Sequence, residues 1–408
     1  FRSKYYHGYF LLHNGDEEAA KSLFKQAAQT DTSICFPNRL EDIIVLQTAL
    51  NINVDDARAL YYLGNLWYDK KQYDDAISCW ERAAELDPKF PTVFRNLGIA
   101  AYNKQQDQRK ALRYFKKAFE LNKSDSRVLM ELDQLCKRLN HSPESRLETL
   151  LDNEQTAFKR DDLYLETTSI YNFLGSYKKA YRMLMDRKFH PWEGGEGKVS
   201  NQFVYSLVEM AKQDMQNGLY EKAIEKLQQT KVYPDNLGEG KLPAAKENDV
   251  FYWMGCAYRA MDNTNKAEQY WKKAAIGLSE PNAAIFYNDQ QPDKIFYQGL
   301  ALEKLGDKLA ATEIFNRLIK YGEAHQDDEV KIDYFAVSLP DLLVFDNNTD
   351  LQNKTHCLYM MALGYLGLKR QTIAEDLFNE VLTLDAMNFG AQCHLTLLVN
   401  YGFSNWCW

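Results

Sequence analysis

Residues 57–88, ARALYYLGNLWYDKKQYDDAISCWERAAELDP, carry a pattern that recurs along the chain. Leu60, Leu63, Gly64 and Trp67 fall on one face of a first helix. Ala76, Trp80 and Ala83 fall on one face of a second, and Pro88 stops it. Gly64 and Ala76 are small where two helix backbones approach closely, and Leu63, Trp67 and Trp80 fill the space around that contact. One such hairpin cannot bury its apolar face alone, so hairpins must stack. The pattern therefore restricts the chain to a repeat array.

Further units follow in order. The next starts 34 residues later with Phe94, Leu97, Gly98, Ala111, Phe115 and Ala118. A degenerate one begins near Ser126, where Asp133 replaces the small residue and predicts looser pairing. Later units are marked by Tyr164 and Ala180, by Leu207 and Ala223, and by Gly255 and Trp271. The last two are marked by Gly299 with Phe315 and by Ala362 with Phe378. Gly8, Ala20 and Phe24 fit the same frame at the front, and an additional helix is expected over about Arg39 to Leu50. The prediction is an all-α, right-handed solenoid of about nine helix hairpins. Residues 1–160 read as a regular half and 161–408 as a half with long inter-hairpin loops, continuous with the first.

These repeats resemble the tetratricopeptide family over nearly the whole chain. Four connections in the second half resemble something narrower: HPWEGGEGKV, NLGEGKL, YNDQQPDKIFYQGLA and EVKIDYFAVSLPD. They are similar to strings in bacterial multidomain proteins in which a galactose-mutarotase-like β-sandwich domain of unknown function precedes the repeats. That resemblance implies that this chain is the C-terminal part of such a protein, with a link to carbohydrate metabolism. The repeats themselves carry no such link.

Composition narrows the function classes. A net charge of −8 and a pI of about 5.5 argue against a phosphate-backbone binder, which needs a basic stripe. No apolar run approaches a membrane span. Seven Cys are scattered without a CxxC pair, and a reduced state is the simplest reading. The seven His are scattered too, so no metal site is expected. No GxSxG, HExxH or P-loop string occurs, and GGEGK lacks the glycine spacing and the Ser or Thr of a phosphate loop. No cofactor or catalytic residue is assigned. A cytoplasmic location is expected, with a periplasmic one left open because the sequence starts at Phe1.

Two candidate sites remain. The first is the inner face of the regular half: Tyr61, Asn65, Tyr68, Arg95, Asn96 and Tyr102. In the carboxylate-clamp type of tetratricopeptide domain, Lys, Asn and Arg at fixed first-helix positions hold a peptide's C-terminal carboxylate. Asn65, Asn96 and Arg127 occupy three matching positions, but Tyr61 stands where a Lys is expected and Glu131 where another basic residue is. Such a face is suited to an extended segment or a helix through aromatic and amide contacts. The second is a loop rim of His190, Trp192, Glu193, Glu196, Glu239, Tyr287, Asp289, Asp333 and Tyr334, whose aromatic and acidic groups are the types that line sugar sites. The bland alternative for the rim is ordered Ω-like loops that fill the wider spacing. The expected function is a scaffold for a protein or peptide partner or for an upstream domain. The alternative is an accessory or catalytic part of a carbohydrate-active protein.

Overall fold

The computed structural model describes residues 2–32, 35–192, 194–243, 245–283, 289–330 and 344–401, without the side chains of residues 2 and 399–401. Among the described residues every regular element is a helix. The chain divides into two compact units, Phe1–Leu135 with Val344–Asp346, and Cys136–Leu343 with Asn347–Trp408.

The first unit begins with α1 (Arg2–His13), α2 (Glu17–Ala27) and the additional helix α3 (Leu40–Ile52). Two hairpins follow, α4 (Ala57–Asp69) with α5 (Tyr73–Leu86) and α6 (Pro91–Asn103) with α7 (Gln108–Leu121). The unit ends within α8 (Ser126–Arg138). Local chemistry sets the helix starts. Asp16, Asp56 and Asp107 accept hydrogen bonds from the first free amides of α2, α4 and α7, and Pro91 sits where its missing N–H costs nothing. Two buried carboxylates tie α1 to its neighbours: Tyr6 donates to Asp42 of α3, and Tyr5 donates to Asp56 at the start of α4, each at 2.9 Å.

The second unit continues with α9 (Pro143–Asp152), α10 (Glu154–Ala157), α11 (Asp161–Phe173), α12 (Tyr177–Asp186), α13 (Lys198–Gln216) and α14 (Tyr220–Gln229). It goes on through α15 (Asn248–Ala260), α16 (Thr264–Ala274), α17 (Pro292–Lys304), α18 (Lys308–His325), α19 (Thr349–Gly367), α20 (Gln371–Leu384) and α21 (Phe389–Tyr401). Its largest core joins Trp253, Trp271, Phe296, Phe315, Leu363 and Phe378 across α15 to α20.

The small-residue positions have one physical role. An added Cβ on Gly64 would fall 2.5 Å from Trp80 Nε1, one on Gly98 2.6 Å from Phe115, and one on Gly299 2.5 Å from Phe315. Each of these three glycines thus receives the aromatic ring of its second helix. The hairpin turns share a further feature absent from the sequence reading. A residue with left-handed φ stands in all nine: Gly15, Lys71, Gln106, Asn140, Gly175, Gly218, Asp262, Gly306 and Lys369. Five of them are not glycine, so a glycine search along the sequence finds only four.

The final helix adds to the sequence reading, which names no helix after the hairpin of Ala362 and Phe378. α21 lies inside the second unit. Phe389 packs 5.5 Å from Phe173 and 5.0 Å from Tyr205, while His394 packs on Phe296, Tyr297, Tyr359 and Phe378. The start and end of this unit also meet. Asn140 donates to the last carbonyls of α20, Thr383 at 3.2 Å and Leu384 at 3.1 Å, and accepts from the Ala386 amide. Cys35, Cys79, Cys136, Cys357 and Cys393 are thiols.

Candidate functional site

Successive first helices of the first unit build a polar ladder. Asn65 on α4 accepts from Trp80 Nε1 at 3.2 Å and from Asn96 on α6 at 2.9 Å. Arg95 donates to Asn96 at 3.4 Å and grips Glu131 on α8 with two bonds of 2.5 Å. Arg127, one turn before Glu131, adds a third at 3.1 Å. Glu131 is fully buried, so its carboxylate needs these donors. Tyr61 packs on Phe90 at 4.9 Å, and burial pushes its hydroxyl above the usual range while Asn65 and Arg95 oppose this. Of the six inner-face candidates, Tyr61 and Asn65 are thus buried, and Arg95 and Asn96 are bonded within the ladder.

Tyr68 and Tyr102 stand at a second place on the same face, where the chain's own Val344–Asp346 is seated. Asn103, the last residue of α6, donates from Nδ2 to the Val344 carbonyl at 2.8 Å and accepts the Asp346 amide at Oδ1 at 2.9 Å. One carboxamide therefore satisfies the backbone on both sides of Phe345. The Phe345 ring is 1% exposed and stands edge-on to Tyr102 at 5.0 Å and to Phe115 at 5.4 Å. Lys104 pairs with Asp346 at 3.4 Å and lies over the Tyr73 ring at 4.8 Å. Burial raises the Tyr68 hydroxyl, with Asn103 as its hydrogen-bond partner and Asp346 close enough to raise it further. Asn103 and Lys104 were not singled out by the sequence reading, and Phe115 was named there only as a repeat marker. Their signal was an amide and a cation directly after Tyr102, facing an LVFD string in the fourth long loop.

The rim residues sit among loops that knit to each other. Glu239 from the second GEGK loop accepts from the Gly197 amide at 2.8 Å and the Ser200 amide at 2.9 Å, and so caps α13, which the first GEGK loop precedes. Asn236 caps α12 through the carbonyls of Leu184 and Arg187. His190 is largely exposed and bonds Asp161 through its amide at 2.9 Å and through Nδ1 at 3.2 Å. Burial works to raise the Asp161 carboxyl, but these bonds and Arg187 hold it below the usual range. Trp192 is half-buried against Gly195, Glu196 is exposed, and Asp289 is half-buried just before α17. Glu193, Tyr287, Asp333 and Tyr334 lie outside the described residues. Glu239→Ala is expected to cost about 1 kcal/mol through loss of the cap. A urea-unfolding midpoint equal to that of the unmodified chain would contradict this role.

The interior of the second unit also holds charge. Lys212 pairs with Glu209 and lies 3.2 Å from the Cys393 thiol of α21. Lys294 pairs with Asp249 at 2.6 Å and Asp293 at 3.2 Å. Burial pushes the Cys393 thiol up to about 12, with Glu209 pushing the same way. A thiol held so far from ionising is a packing group rather than a nucleophile. Among the described residues no group of three or more His, Cys, Asp or Glu is arranged to hold a metal ion. No helix among them is long and apolar enough to cross a membrane.

A TPR repeat model matches residues 64–105, and a tetratricopeptide repeat model matches residues 249–275 and 295–321. Similar solved structures include YrrB, described as a TPR protein with an unusual peptide-binding site. It is 16% identical over 56% of this chain and 90% of that one, with a TM-score of 0.31. A tetratricopeptide repeat protein from Parabacteroides merdae is 14% identical over 74% and 98%, with a TM-score of 0.32. The Naa15/Naa10 structure bound to HypK-THB is 12% identical over 88% and 63%, with a TM-score of 0.40. The chain is an all-α array of consecutively packed helix pairs that carries tetratricopeptide repeats in both of its units.

Proposed function

We propose that this protein is an interaction scaffold that holds a non-helical segment of a polypeptide partner on the inner face of its first unit. One observation supports the reading: Val344–Asp346 is seated on α6 and α7, with its backbone bonded by Asn103 and its aromatic ring enclosed by Tyr102 and Phe115. Backbone bonds give affinity with little regard to sequence, and an enclosed side chain adds selectivity. A sugar-binding rim draws less support, because Glu239 is taken up by the α13 amides and Trp192 by Gly195.

Site-directed photocrosslinking tests the proposal. A photoreactive residue at Tyr68 or Lys104 is expected to capture a partner polypeptide in cells, while one at the exposed Lys117 on α7 is not. Equal capture at all three positions, or capture at Lys117 alone, would remove the inner face as the binding surface.

A further inference from the structure

The seat of Phe345 buries its ring and also has the chemistry of a short-motif recognition site. A core residue is held by continuous packing of the element that carries it. Phe345 belongs to a three-residue segment of the first unit, and the chain on both sides of it belongs to the second. Its hold includes an amide clamp, an enclosed ring and an ion pair. Each part selects something different. The Asn103 carboxamide reads backbone, a carbonyl and the amide two residues on, whatever side chain lies between. Tyr102 and Phe115 both meet the Phe345 ring in T-shaped geometry, which favours an aromatic over an aliphatic side chain. Lys104 stands where the next residue's side chain arrives and favours an acid there.

An enclosed ring and a partly exposed ion pair are contacts that a competing segment can also make. A partner presenting the same motif with additional contacts outcompetes such a segment.

We infer that Tyr102, Asn103, Lys104 and Phe115 form a recognition site for a peptide in which an acidic residue follows an aromatic one, occupied in cis by Phe345–Asp346 and open to the same motif on a partner polypeptide. The inference rests on the scaffold reading and adds to it the chemistry of the partner and a self-occupied resting state.

The test uses the full chain and a fluorescent, N-acetylated peptide of residues 344–348, followed by anisotropy. The Phe345→Ala/Asp346→Ala variant is expected to bind this peptide at least tenfold more tightly than the unmodified chain. Asn103→Ala in the same background is expected to abolish binding, as is a peptide with Ala in place of Phe. A second opening variant, Asp346→Lys, sets like charge against Lys104 while leaving the apolar contacts in place, and is expected to shift affinity the same way. The inference is overturned if the opened chains bind the peptide no better than the unmodified chain, or bind the Phe-to-Ala peptide equally well. If that happens while Tyr68 still crosslinks a partner, only this inference falls. If the peptide binds but no inner-face crosslink forms, only the scaffold reading falls.

Discussion

Replacing Glu131 by Ala is expected to destabilise the first unit by about 3 to 5 kcal/mol. The carboxylate is fully buried and is the joint acceptor for Arg95 and Arg127. The Arg95 side chain is only 17% exposed, so truncating its partner leaves a guanidinium with little access to water. The desolvation cost already met in folding then has nothing to offset it. A double variant, Arg95→Met with Glu131→Leu, removes both charges and is expected to recover most of the loss, because a well-packed apolar pair is often as stable as a buried ion pair. Urea unfolding of the three chains measures this. A loss below about 1 kcal/mol in Glu131→Ala would show that the ladder carries no structural weight, since exposed ion pairs contribute on that scale.

A second large effect is a loss of stability on acidification that begins near neutrality. Burial pushes the His394 imidazole down to about 3. The Gly390 carbonyl, bonded to Nδ1 at 2.7 Å, opposes this, while Lys212 and Lys294 push it lower and Asp249 opposes. In the unfolded chain the ring takes a proton near pH 6.5, whereas in the folded chain it stays neutral until about pH 3. The unfolded state therefore binds more protons throughout that window, and stability falls as pH falls through it by about 1.4 kcal/mol per pH unit. Glu166 contributes later and in the same direction. Burial works to raise its carboxyl, but Lys137 and Arg146 overcome this and hold it at about 2, so its stabilisation is lost between about pH 4.5 and 2. Denaturation midpoints of the unmodified chain should decline between pH 6.5 and 5, before Glu166 begins to titrate. His394→Asn should flatten that part of the curve. An equal decline in both chains would show that other groups set the dependence.

What the sequence revealed and what it concealed follow from the range of the interactions. Gly64 with Trp80 and Gly98 with Phe115 are separated by about half a repeat, so helix periodicity alone exposed them. The aromatic clusters within one hairpin were equally legible. α21 was missed because its sequence, FGAQCHLTLLVNY, carries no charged residue to mark an outer face. The inner-face reading located Tyr68 and Tyr102 but could not tell a solvated face from an occupied one. The segment that fills it lies 241 residues beyond Asn103, and nothing local announces that pairing. Arg95 and Asn96 looked like ligand donors because their acceptors sit on neighbouring repeats. The rim acids looked like a site for the same reason: Glu239 finds its amides 42 and 39 residues away, across two loops.

The central claim is that the inner face of the first unit holds a peptide segment through the Asn103 clamp. Hydrogen exchange at the Asp346 amide tests it most directly, since that N–H is bonded only if Val344–Asp346 is seated. The expected result is slowed exchange at Asp346 in the unmodified chain, lost in Asn103→Ala while the amides of α6 and α7 keep their protection. Exchange at Asp346 as fast as in an unstructured peptide, in the unmodified folded chain, would contradict the account.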